Sequence, residues 1–123
     1  MNKRRYFSAL TALLRCSDHR EPNAMTILHT FSTSAQQHAE LAARLLRSVS
    51  RGDTLLLLGD GTYNLADKTF LQAVQEKELQ LYAMTIDVEA RGLQTVSNNV
   101  NAADDALFVE LSCQHSKVVS WFP

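Results

Sequence analysis

Few side chains in this sequence are suited to covalent chemistry. There are two cysteines, Cys16 and Cys113. Two give neither a disulfide framework nor a metal set. Cys113 falls near the end of a predicted helix that packs on a sheet, where a lone cysteine is more often a small buried apolar residue than a nucleophile. The negative end of the helix dipole also disfavours a thiolate there. A sulfurtransferase using Cys113 needs the opposite, a lowered pKa and access to solvent. His29, His38 and His115 are scattered, and no pair has ligand spacing on one face, so no metal centre is expected. No Ser-His-Asp or Cys-His set is specified either, because such sets are defined by geometry.

The loop Gly59-Asp60-Gly61-Thr62-Tyr63-Asn64 is the one glycine-rich connection from a strand into a helix. A dinucleotide fingerprint wants a third glycine where Asn64 stands, and a P-loop wants Gly-Lys-Ser/Thr. The expectation is therefore a tight turn ahead of a phosphate or other small-ligand site. Asp60 and Tyr63 are left as candidate contacts to a partner. Further along, Asp87, Glu89 and Arg91 cluster after a strand, either as a solvated turn or as an interface patch. Trp121 is either a core anchor or an exposed aromatic at a subunit interface.

These residues are positioned by alternating strands and helices. Thr26 to Phe31 reads as a strand. Ser34 then opens a helix, with Gln37 completing a capping box. Leu41, Ala42, Leu45, Leu46 and Val49 form one apolar stripe at helical spacing. Glu40 and Arg44 pair one turn apart on the outer face, and Gly52 is the expected left-handed cap. Thr54 to Leu58 is continuously apolar, as a strand covered on both faces must be.

A second helix is expected over about 65–75, with Leu65, Phe70, Leu71 and Val74 inward. Leu79 to Met84 is the third strand, a helical turn covers Asp87 to Arg91, and Thr95 to Val100 is a short fourth strand. A helix over about 104–113 turns Leu107, Phe108 and Leu111 to one side, and Lys117 to Trp121 closes as a strand. This order implies crossover connections, hence a single three-layer α/β domain with a mostly parallel central sheet. In such a sheet, chemistry is placed at the carboxyl ends of strands. The third strand ends in Met84, a thioether with no nucleophile beside it. That suggests a non-catalytic partner in a larger assembly.

At 123 residues the chain fits one domain. It is 46% hydrophobic and 20% charged, enough apolar residue for a core. The longest apolar runs, such as Leu55 to Leu58, are far too short to span a bilayer. With this cysteine usage a reducing cytoplasm is the simplest compartment.

The overall charge of −1 conceals an asymmetry. Residues 1–24 carry a net +3 and residues 25–123 a net −4. An acidic body lacks the electrostatic footprint for phosphate backbones, so direct nucleic-acid binding is not expected. Lys3-Arg4-Arg5 followed by Tyr6 to Leu14 has the order of a signal peptide, but Ser8 and Thr11 interrupt its apolar part. Arg15 stands before Cys16 where a lipoprotein cleavage site needs a small residue. The favoured reading takes Met25 as the start, residues 1–24 as an upstream extension, and 25–123 as the domain. Glu21-Pro22-Asn23 would mark the break.

The order of several short motifs resembles the DsrH/TusB family. These are Thr26 to Thr30 after a methionine, Gly52 to Leu58, Asp60-Gly61, Leu81-Tyr82-Ala83 with Ala90-Arg91-Gly92-Leu93, and Phe108 to Leu111 with the closing Trp121. The resemblance runs from Met25 to Trp121. It implies a small α/β subunit of a TusBCD-like heterohexamer, a dimer of heterotrimers with TusC-like and TusD-like partners. Such a complex relays persulfide sulfur in the cytoplasm from a TusA-like to a TusE-like carrier. The product is 2-thiouridine at the tRNA wobble position. A DsrH member would instead serve a sulfur-oxidation DsrEFH complex. The resemblance also implies a cysteine in the sister subunits seven residues before the same Arg-Gly. Met84 occupies that position here, and no cofactor is implied.

Overall fold

A computed structural model describes residues 23–94 and 99–123. The extension up to residue 22, and with it Cys16 and His19, lies outside the described residues. Strands β1 (Asn23–Phe31), β2 (Thr54–Leu57), β3 (Gln80–Met84), β4 (Val100–Ala103) and β5 (His115–Trp121) form one sheet in the order β4-β3-β2-β1-β5. Every pairing is parallel. The helices are α1 (Ala39–Ser48), a 3-10 helix (Gly59–Ala66), α2 (Lys68–Glu76), α3 (Thr85–Ala90) and α4 (Asp105–Gln114).

Crossovers of one hand explain which face each helix covers. From β1 to β3 the chain steps sideways in one direction, and α1 and α2 pack on one face with Phe31, Leu55, Leu57, Leu81 and Ala83. From β4 to β5 it steps back across the sheet. The helix of that crossover, α4, lands on the opposite face against Leu28, Leu56, Met84 and Ala103. β2 lies between the two layers, and all four of its residues are buried. This is the physical reason for its unbroken apolar run. The expected three-layer α/β domain is the one observed, with a fully parallel sheet among the described residues.

Several local expectations shift. β1 begins at Asn23, inside the expected break. The Ser34 hydroxyl does accept from Gln37 N at 3.2 Å. It caps only a turn, however, and the regular helix starts at Ala39. The turn is held apart from the helix because Ala35 N–H donates to the Asn64 side chain at 2.8 Å. The α1 stripe packs as expected, and Arg44 bonds Glu40 at 3.3 Å. Gly52 has φ +89°, but α1 ends before it, and the glycine turns the chain into β2.

The second helical region is two elements, divided where Asp67 caps α2 by accepting from Phe70 N at 3.1 Å. The fourth strand is Val100–Ala103 rather than 95–100. Residues 95–98 lie outside the described residues. No helix among the described residues is long and apolar enough to cross a membrane.

Candidate functional site

The carboxyl edge of the sheet gathers the loops after β1, β2, β3 and β4. Met84 is the last residue of β3, paired with Ala103 of β4. It is buried, and its side chain belongs to the apolar layer under α4. At the edge where an α/β sheet usually holds its reactive group, β3 therefore ends in a thioether, which can be neither thiolate nor persulfide.

Four of the five interface candidates meet in one cluster. Arg91 donates from Nε and Nη2 to Asp60 Oδ1 at 3.1 and 2.9 Å, and from Nη1 to the Asp87 carbonyl at 3.4 Å. Its guanidinium lies over the Tyr63 ring, 5.8 Å from the centroid. The hydrogen bond to Asp60 raises the Arg91 pKa, against a smaller opposing effect of burial. Asp87 Oδ2 accepts from Gly59 N at 2.9 Å, which ties the loop after β2 to the helix after β3. Arg91 also ends α3. Gly92 at φ +63° follows it, with Gly92 N bonded to Glu89 O and Leu93 N to Val88 O. Those two bonds make a Schellman cap. Tyr63 and Asp60 are exposed, so the cluster is a surface patch with a fixed geometry.

The glycine-rich loop spends its polar groups on itself. Gly61 N bonds Leu58 O, and the Thr62 hydroxyl bonds Gly59 O at 2.7 Å. Asn64 is buried, with Oδ1 accepting from Ala35 N and Nδ2 donating to Thr33 O and Gly61 O at 2.9 and 2.8 Å. A phosphate cradle needs backbone N–H groups turned outward. Here the Gly59 and Gly61 N–H groups are already bonded within the protein. Asn64 is a brace between this loop and the turn after β1. Gly61 is fixed by contact, since a Cβ there would overlap the Phe31 carbonyl oxygen.

Trp121 stands apart from the cluster, two strands away. It is partly buried against the α1 layer, and its indole N–H donates to His29 Nδ1 at 3.1 Å. His29 Nε2 bonds Asp53 Oδ2 at 3.0 Å. Asp53 also accepts from Ile27 N and Ser50 N, both at 3.0 Å. An indole only donates, so Nδ1 must accept, and the His29 proton sits on Nε2 facing the carboxylate. Burial pushes the Asp53 pKa up. The hydrogen bonds from Ser50, His29 and Ile27 outweigh it and hold the carboxyl below its ordinary value.

The sequence reading missed this chain of bonds. The legible signal was a polar residue in an inward strand position, His29 between Ile27 and Phe31. The arrangement resembles a catalytic relay only on paper. His29 and Asp53 are 2% and 1% exposed, and an indole stands where a nucleophile would be. Its role is to fasten β5 and β1 to the start of β2.

His115 bonds Thr26 Oγ1 at 2.9 Å through Nδ1. Burial lowers its pKa, with nearby Asp53 opposing and His29 adding to the shift. Cys113 is half-buried near the end of α4. Among the described residues no group of three or more His, Cys, Asp or Glu side chains could hold a metal ion.

The family model described as "DsrH like protein" matches residues 33–118. The chain is 39% identical over 97 residues to Protein TusB of Klebsiella pneumoniae, covering 77% of this chain and all of that protein. It is 40% identical over 97 residues to Protein TusB of Pectobacterium parmentieri, with the same coverage. To Protein TusB of an Escherichia coli O81 strain it is 38% identical over 81 residues, 64% of this chain and 85% of that protein.

Proposed function

Since the chain belongs to the DsrH/TusB family, we propose that it is a non-catalytic subunit of a sulfur-relay complex that serves 2-thiouridine formation at the tRNA wobble position. The observation that carries this reading is Met84 at the end of β3, where the sister subunits are expected to place their reactive cysteine. A thioether has no S–H to lose and no vacant valence for a second sulfur. The persulfide therefore resides on a TusD-like partner, and TusA-like and TusE-like carriers meet this chain only indirectly.

Its task is to complete a cytoplasmic heterohexamer with TusC-like and TusD-like subunits. Asp60, Tyr63, Asp87 and Arg91 support that role as a partner contact. They form a pre-organised surface patch in which the arginine is already oriented, so little side-chain entropy is lost on docking. Trp121 contributes from within, by fastening β5.

The test is deletion of the gene, followed by mass spectrometry of tRNA nucleosides. Loss of 2-thiouridine is expected, with recovery on expression of either the natural chain or Met84→Leu. Unchanged 2-thiouridine after deletion would contradict the reading and leave the DsrEFH-like sulfur-oxidation complex. Failure of Cys113→Ser to restore it, with Met84→Leu still active, would return chemistry to this subunit.

A further inference from the structure

The carboxyl ends of β3 and β4 frame an open pocket of about 220 Å³ that the sulfur-relay reading leaves without a task. Met84 and Ala103, paired across the two strands, line it with Thr85 and Ile86. Ile86 is 47% exposed, unusual for so apolar a side chain. The remaining lining residues are Glu89 and Asp104. Asp104 Oδ1 caps α4 by accepting from Leu107 N at 2.8 Å, which leaves its second oxygen available. Among the described residues no ion pair engages the Glu89 carboxylate.

We propose that this pocket receives a lysine side chain of a partner protein, with the methylene stem against Met84, Ile86 and Ala103 and the ammonium at the Glu89 and Asp104 carboxylates. The size fits one long side chain, since cavities for drug-sized ligands start at about 300 Å³. The chemistry excludes the alternatives in turn. A thiolate, persulfide or phosphate would meet two carboxylates of its own sign. A wholly apolar side chain would cover the Met84, Ile86 and Ala103 wall and leave the two exposed carboxylates at the rim without a partner. Lysine combines an apolar stem with a charged head, the pairing these walls ask for. The surroundings favour a cation as well. Asp67 and Asp105 also stand at the starts of α2 and α4 at this end of the sheet, whereas Asp60 and Asp87 are already engaged by Arg91. A field of that sign steers a basic segment inward. The proposal rests on the pocket's own chemistry and is independent of the sulfur-relay reading.

The test is a titration of the full chain, carrying ¹³C-methyl methionine, with N-acetyl-lysine methylamide. There are three methionines, and Met84→Leu assigns the signal. N-acetyl-norleucine methylamide, with an uncharged stem of similar length, is the matched probe. The expected result is a saturable shift of the Met84 methyl with a dissociation constant on the order of 1 mM, ordinary for so small a ligand. The double variant Glu89→Gln/Asp104→Asn, which keeps an acceptor to cap α4, should weaken binding by roughly fivefold or more. Absence of a saturable shift would overturn the proposal. So would an equal response to the norleucine probe, or a double variant that binds lysine as the natural chain does.

Discussion

Replacing Asp53 by alanine tests the buried chain of hydrogen bonds. The carboxylate is 1% exposed and accepts from Ile27 N, Ser50 N and His29 Nε2. Alanine leaves all three donors without a partner. Each buried donor so stranded costs about 1–3 kcal/mol, and entry of a water molecule recovers part of it. The expected loss is on the order of 3–5 kcal/mol, comparable to breaking a buried charged pair. Against a total stability of about 5–15 kcal/mol, that brings the domain close to unfolding.

Trp121→Phe removes one donor and leaves only the His29 Nδ1 acceptor unpaired, so it should cost about 1–2 kcal/mol. The two losses should not add, because both act through His29. Urea unfolding followed by circular dichroism measures each, since the one tryptophan is itself being changed. The pH dependence has a definite sign. Asp53 has a depressed pKa when folded, so its contribution is present above the ordinary value of 3.8 and is lost as pH falls through the folded value. Asp53→Asn should therefore flatten the acid limb. A cost for Asp53→Ala below about 1 kcal/mol, with the fold intact, would refute the argument that these donors depend on the carboxylate.

Three further outcomes follow from the same structure. Gly61→Ala should destabilise by about 2–4 kcal/mol in denaturant melts, because the clashing group is the Phe31 backbone and not a movable side-chain tip. His115 has a depressed pKa when folded, so the unfolded chain takes up its proton first. Stability should fall as pH drops below about 6.5, and His115→Gln should remove that slope in thermal melts at pH 8 to 5.5. Arg91→Ala should lower the melting temperature of the isolated chain only modestly, since its main partner, Asp60, is 58% exposed. It should weaken co-purification with a TusC-like or TusD-like partner, and undiminished co-purification would remove the cluster from the interface.

The parts of this fold that could be read in advance are those written in local periodicity. Leu41 to Val49 repeat at helical spacing, and Leu55 to Leu57 face both layers, so α1 and the central strand announced themselves. β4 did not. Val100-Asn101-Ala102-Ala103 is a short edge strand of mostly small residues, with little β-branched character to mark it. The start of α1 was misplaced because Ser34 does cap a turn, while the continuation into helix is broken by Asn64, thirty residues away in sequence. The same limit applies to the site. Asp60, Asp87 and Arg91 were each visible as loop residues. Their meeting depends on β2 and β3 being neighbours in the sheet. His29 and Asp53 meet because Leu28 pairs with Thr54, a register that no single strand contains.

As proposed, this chain works as one inert member of a sulfur-relay assembly. Co-expression of the chain with the TusC-like and TusD-like proteins of the same organism, followed by native mass spectrometry, tests it most directly. A hexamer with two copies of each subunit is expected. A lone monomer, or a homo-oligomer indifferent to those partners, would contradict it.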